Sequence, residues 1–157
     1  MNRTNEQRRL PGVTIAVAAM TFAAVAVADE PASPAGATIT ATVGQLRNRK
    51  GTLGCRLYTS PAGFPESSAG TVERRMPITG GTVRCEFARL PPGTYAISVM
   101  HDENDNRKLD KNLLGIPTEG YGVSNNHTHA MSSPTWEESR FVVEGGKSIA
   151  LAITLRY

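Results

Sequence analysis

Residues 82–101 read TVRCEFARLPPGTYAISVMH and hold two runs of alternating apolar and polar or small residues on either side of one turn. An alternation with a period of two predicts a strand that buries one face. The turn between the runs, LPPG at residues 90–93, contains the residue types that break strands. The residues predicted to share the buried face are Val83, Cys85, Phe87, Tyr95, Ile97 and Val99.

Similar alternating patterns occur before and after this stretch in the chain, and no helical period accompanies them. Strands are predicted at 37–46, 52–59, 71–79, 140–144 and 147–156. Gly80-Gly81 predicts a hairpin turn, and Gly145-Gly146 predicts a closing hairpin. We therefore expect an all-β protein, an immunoglobulin-like antiparallel β-sandwich of about seven strands with one long polar loop. Residues 38–157 form the single domain of this prediction.

The first 28 residues have the three parts of a secretory signal peptide. A basic start precedes the apolar run 13–28, VTIAVAAMTFAAVAVA, which ends in the small residues Ala26-Val27-Ala28. The alternative is a membrane anchor, but sixteen helical residues extend only about 24 Å, less than a hydrocarbon core of about 30 Å. We expect cleavage near Asp29, a flexible leader at 29–37, and no membrane span after cleavage.

The charge balance disfavours nucleic-acid binding. The whole chain carries a formal charge of +3, and removal of the three Arg and one Glu of residues 1–28 lowers it to +1. A domain close to neutrality lacks the basic surface that DNA and RNA attract. We expect a monomer that acts on an envelope partner or ligand of unknown identity.

The two cysteines, Cys55 and Cys85, lie in matching phrases, GTLGCRL at 51–57 and GTVRCEF at 81–87. Each shares a strand face with apolar residues two positions away, so both are expected to point into the core. An oxidising compartment would permit a disulfide between them, and two buried free thiols are the alternative. The pair lacks the C-x-x-C spacing of redox catalysts.

The polar stretch after His101 contains side-chain oxygens in the register of a calcium loop. Asp102, Asn104, Asn106 and Asp110 occupy positions 1, 3, 5 and 9 of that register and predict a Ca²⁺ site. Arg107 replaces the Gly expected at position 6, and Leu113 replaces the Glu expected at position 12. The alternative is a loop in which Asp and Asn side chains accept hydrogen bonds from nearby backbone N–H groups.

Several ordered phrases resemble an uncharacterised bacterial family, domain of unknown function 2141. They are YxSxxGFP at 58–65, LPPGTYA at 90–96, HDENxN at 101–106 and GIPxEGYG at 115–122. The resemblance covers about residues 38–157 and implies an exported, single-domain β-sandwich with no established activity. Family members usually have Gly where this chain has Arg107, and the family supplies no catalytic residues.

Two further constellations offer alternatives. His101, His127, His129 and Met131 carry imidazole and thioether ligands that suit copper. Ser124 with Asp102 and a histidine would make a hydrolase triad, but no G-x-S-x-G motif accompanies it.

We therefore expect a periplasmic or secreted bacterial protein that is not an enzyme. Its predicted function is that of a binding or accessory module of the cell envelope, and a copper carrier is the alternative.

Overall fold

The computed structural model describes residues 36–129 and 132–157, so the predicted signal peptide, most of the leader and Met131 lie outside the described residues. Within this part, eight strands are joined by loops, one short 3₁₀ turn at Ser124–Asn126 and a single helical turn. The described residues all belong to one compact unit. The elements are β1 (Ala37–Gly44), β2 (Thr52–Tyr58), β3 (Val72–Pro77), β4 (Val83–Leu90), β5 (Gly93–Asp102), β6 (Gly120–Val123), α1 (Trp136–Ser139), β7 (Phe141–Val143) and β8 (Ile149–Thr154).

The strands form two sheets, which confirms the all-β, sandwich-like prediction. The first sheet has the order β4-β1-β8, and the second has the order β3-β2-β5-β6. β7 pairs with Gly93–Tyr95, at the start of β5. The alternating faces of both sheets meet in one core that contains Ile39, Val43, Leu53, Leu57, Phe87, Ile97, Val99 and Ile153. The immunoglobulin-like arrangement stays a prediction.

Both predicted glycine hairpins are wrong, because each of these connections crosses from one sheet to the other. β3 pairs with β2, whereas β4 pairs with β1. β7 pairs with β5, whereas β8 pairs with β1 in parallel, which departs from a purely antiparallel sandwich. Packed sheets lie about 10 Å apart, a distance that a connection of about five residues spans. Alternation identifies a strand, but it does not identify the strand's partner.

The long polar stretch is interrupted by elements that the sequence did not predict. β6 has only four residues, and α1 is a single turn that begins with a capping box between Thr135 and Glu138. Four residues are too few to show an alternating pattern. No helix in the two described ranges has the length and apolar character needed to cross a membrane.

The predicted bridge between the two cysteines is confirmed. Cys55 of β2 and Cys85 of β4 are fully buried and form a disulfide, with their Cα atoms 6.5 Å apart. Since β2 and β4 belong to different sheets, the bridge ties the two layers of the sandwich through the core. It also closes a chain segment with a sequence separation of 30 residues.

The double variant Cys55→Ala/Cys85→Ala is expected to lose about 3–4 kcal/mol of unfolding free energy, because the unfolded chain is no longer restricted by the bridge. Urea unfolding of the variant and of the parent measures the loss. Parent protein treated with a reductant is the control and should unfold at a similarly lowered urea concentration. A variant as stable as the oxidised parent would contradict this account of the core.

Candidate functional site

The candidate site lies on the outer face of the second sheet, the face turned away from the core. β5 is buried on both faces over residues 95–102. Ile97 and Val99 point into the core, so Ser98, Met100 and Asp102 point outward. This outward face is buried because two loops, residues 59–71 and residues 103–119, fold over it.

Loop 59–71 is held to the sheet by hydroxyl groups and aromatic rings. The Tyr58 hydroxyl lies 2.7 Å from the carbonyl oxygen of Pro65, and the Ser98 hydroxyl donates to the same oxygen at 3.0 Å. The Phe64 ring meets the rings of Tyr58 and Trp136 edge-to-face, with centroids 5.0 Å and 6.0 Å away. Burial raises the pKa of Tyr58, so its hydroxyl keeps its proton near neutrality.

A chain of charges crosses the same face from β5 to β2. The guanidinium of Arg75 donates to the carboxylate of Asp102, which is 0% exposed, and lies 3.5 Å from the carboxylate of Glu73. Glu73 in turn accepts from Arg56 at 3.0 Å. Burial acts to lower the pKa of Arg75, but the hydrogen bonds and charges of Asp102 and Glu73 together leave the pKa raised. A carboxylate buried this deeply requires such a partner.

Loop 103–119 is held by two buried carboxylates, one at each end. Asp102 accepts from the backbone N–H groups of Asn106 at 3.0 Å and Arg107 at 2.8 Å. Glu119 accepts from the backbone N–H groups of Glu103 at 2.8 Å and Asp110 at 3.1 Å. Sequence spacing did not reveal this role of Glu119, because its partners lie nine and sixteen residues away.

The structure brings three of the four predicted calcium ligands together. Asn104 and Asn106 donate their side-chain amides to the carboxylate of Asp110, at 2.7 Å and 2.9 Å. Asp102 instead faces Arg75 and the loop backbone. These are the contacts of the Asx-rich loop that the sequence offered as the alternative to a calcium site. In the described ranges, no group of three or more His, Cys, Asp and Glu side chains is placed to hold a metal ion. Calcium binding stays a prediction.

The three histidines do not form a common site. His101 is fully buried, and its ring nitrogens contact the Lys50 carbonyl oxygen at 2.8 Å and the Tyr157 hydroxyl at 2.7 Å. Since a carbonyl only accepts, Nε2 donates to the Lys50 carbonyl, and Nδ1 shares a hydrogen bond with the Tyr157 hydroxyl. His127 is exposed, and His129 contacts Glu138 at 2.9 Å. Hydrogen bonds from His129 and Thr135 lower the pKa of Glu138 to about 2. The copper alternative gains no support from this placement, and Met131 lies outside the described residues.

Ser124, the serine of the hypothetical triad, has a structural position. It is fully buried, and its hydroxyl donates to the carbonyl of Ser139 at 2.6 Å and accepts from the N–H of Ile97 at 2.9 Å. These contacts join the end of β6 to β5 and to α1. A substrate could not reach this hydroxyl without unfolding the region around it.

Between the two loops lies a groove of about 1280 Å³, floored by the outer face of β5 and β6. Its basic lining residues are Arg56, Arg107, Lys108, Lys111 and Arg156. Its main apolar lining residues are Met100, Leu109, Leu114, Ile116, Pro117 and Tyr121. Glu66 is the acidic lining residue, and it pairs with Lys111 at 2.7 Å. Arg107, Lys108 and Arg156 form no ion pair with any residue of ranges 36–129 and 132–157, so the groove carries an excess of positive charge.

Arg107 occupies a backbone conformation that favours glycine. Its φ angle is +65°, in the left-handed region, where a Cβ atom crowds the backbone. The N–H of Arg107 nevertheless donates to Asp102, which holds the residue in this conformation. Arg107 therefore places a guanidinium at the groove at a conformational cost that Gly would not carry.

Comparison with known proteins gives a family. The sequence profile of an uncharacterised protein family conserved in bacteria, DUF2141, matches residues 41–150. The chain belongs to this family. The DUF2141 match runs from within β1 to the start of β8, and it includes both loops that cover β5 and most of the groove. No curated protein and no solved structure matches the chain.

The variant Asp102→Asn is expected to lose about 2–3 kcal/mol of unfolding free energy, because it removes the buried charged partner of Arg75 and weakens two bonds to the loop. Arg75 then keeps only its longer contacts to Glu73 and Asp105. Urea unfolding at neutral pH measures the change. Asp105→Asn is the matched control, because its exposed carboxylate lies 3.7 Å from the same guanidinium, and its loss should stay below about 1 kcal/mol. Equal losses in the two variants would show that the buried ion pair does not anchor the loop.

Proposed function

We propose that this protein is an exported, non-enzymatic binding or accessory module of the bacterial cell envelope. Its binding site is the groove over β5 and β6, and its ligand is a small amphipathic anion. The observation that carries the proposal is the lining of the groove, where three basic side chains without ion-pair partners in the described part of the chain stand beside an aliphatic surface.

The lining of the groove offers contacts to both the anionic group and the apolar part of such a ligand. The guanidinium groups of Arg107 and Arg156 are suited to bind a carboxylate or a phosphate through paired N–H donors. Met100, Leu114 and Ile116 offer apolar surface that a hydrocarbon tail or ring would remove from water. A purely polar anion would leave this apolar surface exposed, and a neutral apolar ligand would leave the basic groups without a partner.

Two features support export. Residues 1–28 carry the pattern of a signal peptide, although they lie outside the described residues. The disulfide between Cys55 and Cys85 requires an oxidising compartment such as the periplasm or the extracellular space.

The side chains around the groove favour binding over catalysis. The carboxylates of Asp102 and Glu119 are buried and accept backbone hydrogen bonds, and Ser124 is enclosed. Glu66 pairs with Lys111, and His129 contacts Glu138. A general acid or base needs access to the reacting group, which the buried Asp102, Glu119 and Ser124 do not provide. Glu66 and His129 are exposed, but Lys111 and Glu138 engage their polar groups.

Calorimetric titration with octanoate and with octylammonium tests the proposal, because the two probes share a hydrocarbon tail and differ in charge. Octanoate is expected to bind at least about tenfold more tightly, since the groove offers unpaired cations and one neutralised carboxylate. Equal affinity for the two probes, or no binding of octanoate, would contradict the proposal.

The variant Arg107→Gly separates binding from folding. It is expected to weaken octanoate binding about fivefold while leaving the unfolding free energy unchanged or raised by up to about 1 kcal/mol, because Gly relieves the left-handed strain. Arg84→Gln is the matched control, since it removes a positive charge from β4 in the other sheet. Unchanged octanoate affinity in Arg107→Gly would remove this residue from the site.

The calcium hypothesis for Asp102, Asn104, Asn106 and Asp110 has its own test. Thermal unfolding in EDTA and in millimolar Ca²⁺ compares the parent with Asp110→Ala. Free Ca²⁺ at about 100 times its Kd should raise the unfolding free energy of the parent by roughly 2.7 kcal/mol. A melting temperature that Ca²⁺ raises in the parent and not in the variant would support the site, and equal melting temperatures in EDTA and Ca²⁺ would contradict it.

A further inference from the structure

A rigid turn at residues 112–116, sequence NLLGI, presents large apolar side chains to solvent. Leu113 is 105% exposed, Leu114 is 83% exposed and Ile116 is 49% exposed. These three are half of the six exposed large hydrophobic residues in the described part of the chain. An exposed apolar cluster of this kind marks a surface that contacts something other than water.

The backbone of this turn is hydrogen-bonded within itself. The N–H of Asn112 donates to the carbonyl of Ile116 at 2.8 Å, and the N–H of Gly115 donates to the carbonyl of Asn112 at 2.9 Å. The side-chain oxygen of Asn112 accepts from the N–H groups of Leu114 at 2.9 Å and Ile116 at 3.1 Å. Gly115 has a φ of +76°, which allows the chain to close the turn. Four of the five N–H groups of the turn, all but that of Leu113, thus have partners within it, which lowers the cost of entering an apolar layer.

Basic side chains line the groove together with Leu114 and Ile116 of the turn. Arg107, Lys108 and Lys111 are exposed, and only Lys111 has an ion-pair partner among the residues described. The nearby carboxylates of Asp110 and Glu119 are turned inward, toward the Asn side chains and the loop backbone. The surface around the apolar tip is therefore positive.

We infer that the 112–116 turn docks this protein onto an anionic lipid surface. Leu113 and Leu114 enter the boundary between headgroups and acyl chains, and the three basic residues contact the headgroup phosphates. A convex turn of five residues presents far less surface than the roughly 800 Å² per partner that a stable protein interface buries. The charge complementarity and the self-bonded backbone favour a lipid surface over a protein groove. Leu114, Ile116 and the three basic residues also line the groove, whereas Leu113 does not, so Leu113 is the position at which the two proposals are tested separately.

Vesicle co-sedimentation of residues 29–157, the chain expected after cleavage of the signal peptide, tests the inference. Vesicles of phosphatidylcholine are compared with vesicles of phosphatidylcholine and phosphatidylglycerol. The parent is expected to bind the anionic vesicles and to bind the neutral ones weakly. Leu113→Ser should lower the partition coefficient at least about fivefold, and Lys108→Gln should lower it about fivefold. Val142→Ser is the matched control, because Val142 is another exposed aliphatic residue, on β7, and should leave the partition coefficient unchanged.

Further measurements keep the outcomes separate. Leu113→Trp should retain vesicle binding, and its added fluorescence should shift to shorter wavelength in anionic vesicles. Leu113→Ser should leave octanoate affinity unchanged, so that failure of the groove proposal and failure of the lipid proposal are distinguishable.

Anionic vesicles that do not bind the parent, or that bind Leu113→Ser equally well, would overturn the inference. Concentration-dependent dimerisation that Leu113→Ser abolishes would also overturn it, since the turn would then contact a second copy of the chain.

Discussion

The rest of the structure depends on the burial of β5 from both sides. Its inner face packs into the core through Ile97 and Val99, and its outer face carries Ser98, Met100 and Asp102. Because buried polar groups need partners, the outer face requires covering elements that supply them. Loop 59–71 supplies the carbonyl for Ser98, while β3 supplies Arg75 and loop 103–119 supplies backbone N–H groups for Asp102.

The groove and the exposed turn follow from this covering. The two loops are anchored where they meet β5, and the groove lies between them, with the ion pair of Lys111 and Glu66 joining one loop to the other. The residues of loop 103–119 that are not needed for anchoring are free to carry basic and aliphatic side chains outward. Loop 103–119, in which the sequence predicted a calcium site, thus covers β5, forms one side of the groove and carries the 112–116 turn. Membership of DUF2141 extends across these elements but names no ligand for them.

The sequence predicted what local pattern determines. Alternation located the strands around Val83–Phe87 and Tyr95–Val99 and the inward direction of Cys55 and Cys85, because each of these depends on residues two positions apart. It did not predict that β8 pairs with β1 in parallel or that the Gly80-Gly81 connection crosses between sheets, because strand pairing is decided by the whole core. The role of Glu119, the ion pair between Arg75 and Asp102, and the groove arise from residues distant in the chain, so no spacing rule could reveal them.

The most direct test of the central claim is a nitrogen-15 NMR titration of residues 29–157 with octanoate. The account predicts that the perturbed backbone amides cluster on the outer face of the second sheet and its loops, at Ser98, Met100, Arg107 and Tyr121. Amides on the outer face of the other sheet, such as Thr40 and Ala150, should not shift. Perturbations centred on that other sheet, or spread evenly over both, would contradict the claim that the covering of β5 creates the binding site.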